Sequence, residues 1–269
     1  MDVTNAIRVA RMTDVGQLRG RNEDAIASDL STGVIMVADG MGGYKGGAVA
    51  SEIAILVVIS EVAELMHIHK SSKKANLALP IPEMLSKAVA KANNTIFNAS
   101  YENAEYEGMG TTFVAGVFND NKVIVGHIGD SRMYRLRNEA LEQLTEDHSL
   151  LQEQINAGII TKEQAKNSNE GHLVTRALGT DAEVELEMDV HETTVGDIYL
   201  LCSDGLTDLV DDEYIRKILL DNGDDIDLAA SGLIKLANKH GGNDNISVVI
   251  ALVRDTFAMK SSWMQKILG

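Results

Sequence analysis

The chain has 269 residues, 45% hydrophobic and 24% charged, ordinary proportions for a globular protein with a large core. Its formal net charge of −16 argues against a nucleic-acid binder, which needs a basic face, and against docking on an anionic membrane. The only cysteine, Cys202, excludes an intrachain disulfide and a multi-cysteine zinc site, and in the apolar run Ile198–Cys202 it reads as a buried small hydrophobe rather than a nucleophile.

The N-terminal residues MDVTNAIRVA have no basic region followed by an apolar core, so no signal peptide is expected. The longest apolar stretch, Ile53–Ile59, lies between Glu52 and Glu61 and is too short to span a bilayer. A cytoplasmic protein is the expectation. With only two prolines and no Pro/Ser-rich linker, residues 1–255 are expected to form one domain, followed by a tail at 256–269.

Along the chain, Arg8–Asp14 and Val34–Ala38 read as strands, the second a continuous apolar run suited to a sheet covered on both faces. Helices are expected over Ala48–Leu65 and from about Glu83 to Tyr106, separated by a polar stretch, Pro80 and Pro82. Strands follow at Thr112–Phe118, Lys122–His127 and Arg132–Arg137, with turns at Asn119–Asn121 and Asn138–Glu139. Short helices near Ser149–Ala157 and Lys162–Lys166 precede strands at Glu183–Val190 and Asp197–Cys202. Helices at Asp212–Leu220 and Asp227–His240 lead to a last strand, Ile246–Val253. Strand pairs alternating with helix pairs predict an α+β fold: an antiparallel β-sandwich of two sheets flanked by pairs of α-helices.

One local design recurs. Val34–Ala38 ends in Asp39-Gly40, Ile124–Ile128 in Gly129-Asp130-Ser131, and Ile198–Cys202 in Ser203-Asp204-Gly205. An inverted version, Gly241-Gly242-Asn243-Asp244-Asn245, leads into Ile246–Val253, and Asn22-Glu23-Asp24 forms a further acidic cluster. A single Asp-Gly is ordinarily a turn, but its repetition at strand ends points elsewhere. Aspartates gathered at one sheet edge would repel one another unless a cation lay between them, and an all-oxygen set favours Mg²⁺ or Mn²⁺ over Zn²⁺.

In this context the sequence resembles the type 2C (PPM) metal-dependent protein phosphatases in their bacterial form, from about Thr13 to Val253. The resemblance rests on Thr13-Asp14-Val15-Gly16 with Arg19 and Asn22-Glu23-Asp24-Ala25, Val37-Ala38-Asp39-Gly40-Met41-Gly42-Gly43, Gly110-Thr111-Thr112 and Gly129-Asp130-Ser131-Arg132. It continues with Asp147-His148-Ser149, Thr175-Arg176-Ala177-Leu178-Gly179, Ser203-Asp204-Gly205-Leu206 and Asp244-Asn245-Ile246-Ser247, all in order.

The resemblance implies two Mn²⁺ or Mg²⁺ ions, with a possible third. Asp39 would bridge the pair, Asp204 and Asp244 would complete the first ion's shell, and Glu23 or Asp24 with the Gly40 carbonyl would serve the second. Asp130, with Asp204, matches the third, weaker site. Arg19 matches the arginine that grips the substrate phosphate, and Asp39, Arg19 and Asp24 are the expected catalytic residues. The implied reaction is hydrolysis of phosphoserine and phosphothreonine monoesters by a metal-bridging water, with no phosphoenzyme. The implied partners are phosphoproteins and a cognate eukaryotic-type Ser/Thr kinase, the enzyme itself acting as a monomer.

Several positions depart from the family pattern. Residues from about Leu150 to His172 match its flap, yet Asn167-Ser168-Asn169-Glu170-Gly171 stands where His-Pro is usual, which is expected to alter flap flexibility or substrate choice. Met41 follows Asp39-Gly40 where eukaryotic members have a histidine nearby, leaving the proton donor unassigned. His127 reads as a hydrogen-bonded core residue and His148 as a brace for the loop after Leu144. The tail Met259–Leu268 reads as a packed helix or frayed end, with Trp263, Lys260 and Lys266 raising a membrane or partner contact.

Other function classes fit less well. A P-loop at Gly40–Gly47 fails because Lys45 is preceded by Tyr44 and followed by Gly46. The rival from another class is a catalytically inactive pseudophosphatase that binds phosphoproteins without turnover.

Overall fold

The computed structural model describes residues 3–42, 45–71, 79–166 and 173–258. A short helix α1 (Val3–Ala6) precedes β1 (Ile7–Asp14), β2 (Asp24–Asp29) and β3 (Val34–Met41). Helices α2 (Gly46–Ser71) and α3 (Ile81–Glu102) follow, then β4 (Gly110–Thr111), β5 (Phe113–Asn119), β6 (Lys122–Ile128), β7 (Arg132–Arg137) and β8 (Ala140–Gln143). After the short helices α4 (Leu150–Asn156) and α5 (Lys162–Lys166) come β9 (Glu187–Glu192) and β10 (Ile198–Cys202). Helices α6 (Asp204–Thr207), α7 (Asp212–Asn222) and α8 (Ile226–Lys239) lead to β11 (Ile246–Val253).

The strands form two antiparallel sheets, β1-β11-β10-β7-β8 and β2-β3-β5-β6-β9, with β4 paired to β3. Alternate residues of each central strand serve two cores. In β3, Val34, Met36 and Ala38 face α2 and α3, while Ile35 and Val37 face the other sheet. In β11, Val248, Ile250 and Leu252 join the core under α7 and α8, while Val249, Ala251 and Val253 enter the inter-sheet core. Both faces are therefore apolar, which makes these strands read as unbroken hydrophobic runs. The expected α+β double sheet with helix pairs outside is the observed architecture.

Turn chemistry sets the hairpins. Asp120 and Asn121 have φ of 51° and 54°, and Asn138 and Glu139 have 49° and 63°, the left-handed pairs of two-residue hairpin loops.

Some boundaries differ from expectation. The helix expected to reach Tyr106 ends at Glu102, because the Asn103 side chain accepts from the Glu105 backbone N–H (3.0 Å) and starts a separate 3-10 turn at Ala104–Tyr106. The strand expected from Glu183 starts at Glu187, the first residue to pair with β6; Val184 and Leu186 instead pack against the core beneath α2 and α3. Strand β2 was not expected as a strand at all. The substituted flap residues 167–171 and the tail 259–268 lie outside the described residues.

Candidate metal and phosphate site

The aspartates predicted from sequence converge at one end of the sandwich. Asp24 opens β2 and sits directly opposite Asp39 in β3, an antiparallel pairing that puts like charges side by side. Asp204 begins α6 at the end of β10, Asp130 follows β6 through Gly129, and Asp244 precedes β11. The Asp39 carboxyl feels the charges of Asp24, Asp204 and Asp130.

Their electrostatics describe a place short of positive charge. Burial, reinforced by Asp24 and Asp204, holds the Asp39 carboxyl well above the ordinary carboxylate range. Burial pushes Asp24 up to about 7 against the opposing pull of the Ser247 and Ser203 hydroxyls. Asp130 rises to about 8 through burial and the charges of Asp204 and Asp147. Glu23 is also raised by burial, with Arg21 and Arg19 acting the other way.

The backbone around these groups is fixed tightly. The Asp39 N–H donates to Thr112 Oγ1 (3.0 Å), whose hydroxyl lies 2.7 Å from Ser131 Oγ. Ser203 Oγ donates to Asp24 Oδ2 (2.8 Å) and accepts from the Ser247 N–H (3.0 Å), tying the two sheets together beneath the carboxylates. The Glu23 carbonyl accepts from the Gly40 N–H (3.1 Å) and from Ser51 Oγ (2.6 Å). A Cβ on Gly40 would lie 2.0 Å from the Gly47 carbonyl oxygen, so only glycine permits this approach.

Arg19 lies in the loop between β1 and β2, its side chain 54% exposed, and donates from Nη2 to Asp244 Oδ2 (2.6 Å). That hydrogen bond raises the Arg19 pKa. The other Asp244 oxygen accepts from the Asn245 N–H (2.8 Å).

The donor set suits a hard divalent ion. It is all oxygen, burial disfavours the charged form of several of its carboxyls in a way a cation would relieve, and Asp24 Oδ1 is buried without a hydrogen-bond partner. Among the described residues, the tightest group of potential metal ligands lies elsewhere: His127, His148 and Glu187, with ligand atoms within 4.8 Å of one another. Here the hydrogen bonds favour a purely structural role. His148 Nδ1 accepts from the Gly129 N–H (3.1 Å), which places the ring proton on Nε2, facing Glu187 Oε2 at 3.1 Å. A proton thus occupies the position where a metal would need a lone pair. His127 stacks on this ring at 4.7 Å and its Nε2 contacts the Glu146 carbonyl (2.8 Å), as expected of a satisfied core histidine. His148, expected to brace the loop after Leu144, also donates its N–H to the Gly129 carbonyl (3.0 Å), so it clamps the Asp130 turn.

Ser203, Thr112 and Asn245 were quoted from sequence without a role. Ser203 and Asn245 each adjoin a strand-end aspartate in sequence and Thr112 does not, but the partners of all three lie far away along the chain, so adjacency alone assigns them no role.

Comparison with known proteins follows the same lines. The family profile described as Protein phosphatase 2C matches residues 19–223. The serine/threonine phosphatase stp of Listeria monocytogenes is 37% identical over 241 residues, covering 88% of this chain and 92% of that protein. The serine/threonine protein phosphatase PstP of Mycobacterium tuberculosis is 38% identical over 254 residues, 94% of this chain and 46% of PstP. The structure of the S. agalactiae serine/threonine phosphatase superposes with a TM-score of 0.82 at 33% identity, covering 92% of this chain and 100% of that one. The catalytic domain of PstP in complex with 2 manganese ions superposes at 0.78 and 37% identity, covering 93% and 99%. These relatives are named as phosphatases, and the pseudophosphatase reading finds no support among them. With its ordered motifs, its double sheet and this kinship, the chain belongs to the metal-dependent protein phosphatase 2C family of serine/threonine phosphatases.

Proposed function

We propose that the chain removes phosphate from phosphoserine and phosphothreonine in proteins, with Asp39, Asp204 and Asp244 as ligands of one Mn²⁺ or Mg²⁺ and Asp39, the Gly40 carbonyl and Glu23 or Asp24 as ligands of a second. Asp130 with Asp204 would hold a third. The observation that carries this reading is the convergence of buried carboxyls that cannot all ionise without a cation. Such ions supply positive charge to the phosphate oxygens and lower the pKa of water toward neutrality.

The chain's own residues do the rest. Arg19 offers a guanidinium that can fork onto two phosphate oxygens, and its exposure leaves it reachable. Thr112, Ser131 and Ser203 hold the Asp39 and Asp24 backbones and carboxyls against drift. Phosphoryl transfer depends mainly on positioning and charge stabilisation, so no protein nucleophile is required. Met41 has no proton to give to the leaving alkoxide, so that donor lies elsewhere.

Residues 1–255 form one domain in this reading, with the flap at about 150–172 beside the site. The enzyme would act as a cytoplasmic monomer opposing a eukaryotic-type Ser/Thr kinase. Among the described residues no helix is long and apolar enough to cross a membrane.

The direct test is hydrolysis of an aryl phosphate with Mn²⁺. Turnover should vanish with EDTA and fall at least about a thousandfold in Asp39→Asn, a loss comparable to removing a principal electrostatic group. A folded Asp39→Asn enzyme that keeps Mn²⁺-dependent turnover would overturn the assignment.

A further inference from the structure

The loop that carries Arg19 has no strand ladder of its own. Residues 15–23 cross from β1 to β2, and their backbone is held by the turn that precedes β11. The Gln17 and Leu18 N–H groups donate to the Gly242 carbonyl at 2.7 and 3.3 Å. Gln17 Nε2 donates to Asn238 Oδ1 (2.9 Å). Gly16, at φ 78°, lies so close to this turn that a Cβ would be 2.1 Å from the Asp244 carbonyl oxygen.

One side chain closes the arrangement. Asn245 is 4% exposed, and its amide reaches three points of the loop. Oδ1 accepts from the Glu23 N–H (2.7 Å), while Nδ2 donates to the Val15 and Arg21 carbonyls, both at 2.9 Å. Both donors and one acceptor site are therefore spent on residues that bracket Arg19. Asp244, the residue before it, takes the Arg19 head group. The backbone at both ends of the arginine loop and the position of the guanidinium are thus set from one dipeptide.

We infer that Asn245 is a positioning residue for the phosphate-gripping arginine: its amide fixes the loop from Val15 to Glu23 so that Arg19 meets the substrate where the aspartates gather. The inference rests on the proposed role of Arg19. No other side-chain type supplies the two donors and one acceptor in this shape. Aspartate has the same shape and can still accept from Glu23, but it turns an anionic oxygen toward two carbonyls and releases the loop. Serine is too short to reach any of the three.

A double-mutant cycle tests this with Asn245→Asp, Arg19→Ala and the double variant, assayed with Mn²⁺ and a phosphothreonine peptide. Asn245→Asp should lower kcat/KM by roughly 10–100-fold, mainly through KM, the scale of a catalytic group misplaced by about an ångström. In the Arg19→Ala background the same change should cost less than about threefold, because the residue it positions is gone. Amide exchange of residues 15–23 in the metal-free protein should quicken in Asn245→Asp. Asn245→Ser runs through the same cycle should the aspartate variant fold poorly. Equal losses in both backgrounds, unchanged exchange of the loop, or an unchanged kcat/KM would overturn the role of Asn245 while leaving Arg19 intact. A wild-type kcat/KM in Arg19→Ala would instead sink the phosphate-grip reading and this inference with it.

Discussion

Replacing Asp24 by asparagine should stabilise the protein in the absence of metal, and do so only where the carboxyl would otherwise be charged. The shape is conserved, and Ser203 Oγ can still donate to the amide oxygen as it does to Asp24 Oδ2. Burial raises this carboxyl from 3.8 to about 7. At 1.36 kcal/mol per unit, ionising it in the fold costs roughly 4 kcal/mol, an upper bound because Asp24 and Asp39 influence each other's titration.

The sign follows from proton binding. The folded state holds the proton more tightly than the unfolded chain, so the stability tied to the proton is complete below about pH 4 and lost as pH rises through about 7. Asparagine has no such loss. In EDTA, urea unfolding should find Asp24→Asn within about 1 kcal/mol of wild type at pH 4 and up to about 4 kcal/mol more stable at pH 8.5. Adding Mn²⁺ should then reverse the order, because the wild type gains binding energy that the variant lacks. An Asp24→Asn protein no more stable than wild type at pH 8.5, or equally stabilised at pH 4, would refute the reasoning.

Two further outcomes separate scaffold from site. Asp197 is 1% exposed and is bound by Arg137 Nε and Nη2 (2.7 and 2.6 Å), the Thr194 N–H and the Tyr199 hydroxyl. Asp197→Ala should cost about 3–5 kcal/mol in denaturant unfolding, yet leave Mn²⁺-dependent kcat unchanged, since Asp197 lies at the far end of β10 from Asp204. Cys202 is fully buried and its thiol is pushed up to about 12, chiefly by burial. Iodoacetamide at pH 8 should label it at least about a thousandfold more slowly in the folded protein than after denaturation, as mass spectrometry would show.

What could be read from sequence followed burial. Strands β3, β10 and β11 are covered on both faces, so their apolar runs were unmistakable. Strand β2, Asp24-Ala25-Ile26-Ala27-Ser28-Asp29, lies at a sheet edge with mostly small or polar side chains and one buried residue, Ala27, and carries no comparable signal. The four-residue β8 is equally faint, with no residue fully buried. At the site, Asp39, Asp130, Asp204 and Asp244 were conspicuous because each abuts a strong strand or its glycine turn. The pairing of Asp24 with Asp39 was not, since cross-strand register depends on contacts distant in sequence. The bracing by Ser203, Thr112 and Asn245 was hidden for the same reason: hydrogen bonds between residues about 70 to 230 positions apart leave no local pattern.

The carboxylates are divided between the layers. Asp24 and Asp39 belong to one sheet, Asp204 and Asp244 to the ends of strands in the other, and neutral hydrogen bonds such as Ser203 Oγ to Asp24 and the Glu23 N–H to Asn245 cross between them. An ion held by both groups would act as a rivet through the seam, and filling or emptying it would tighten or relax the sliding of one half of the sandwich on the other. Mechanical stiffness of the two-sheet sandwich would then track cation supply, even far from any residue that touches phosphate.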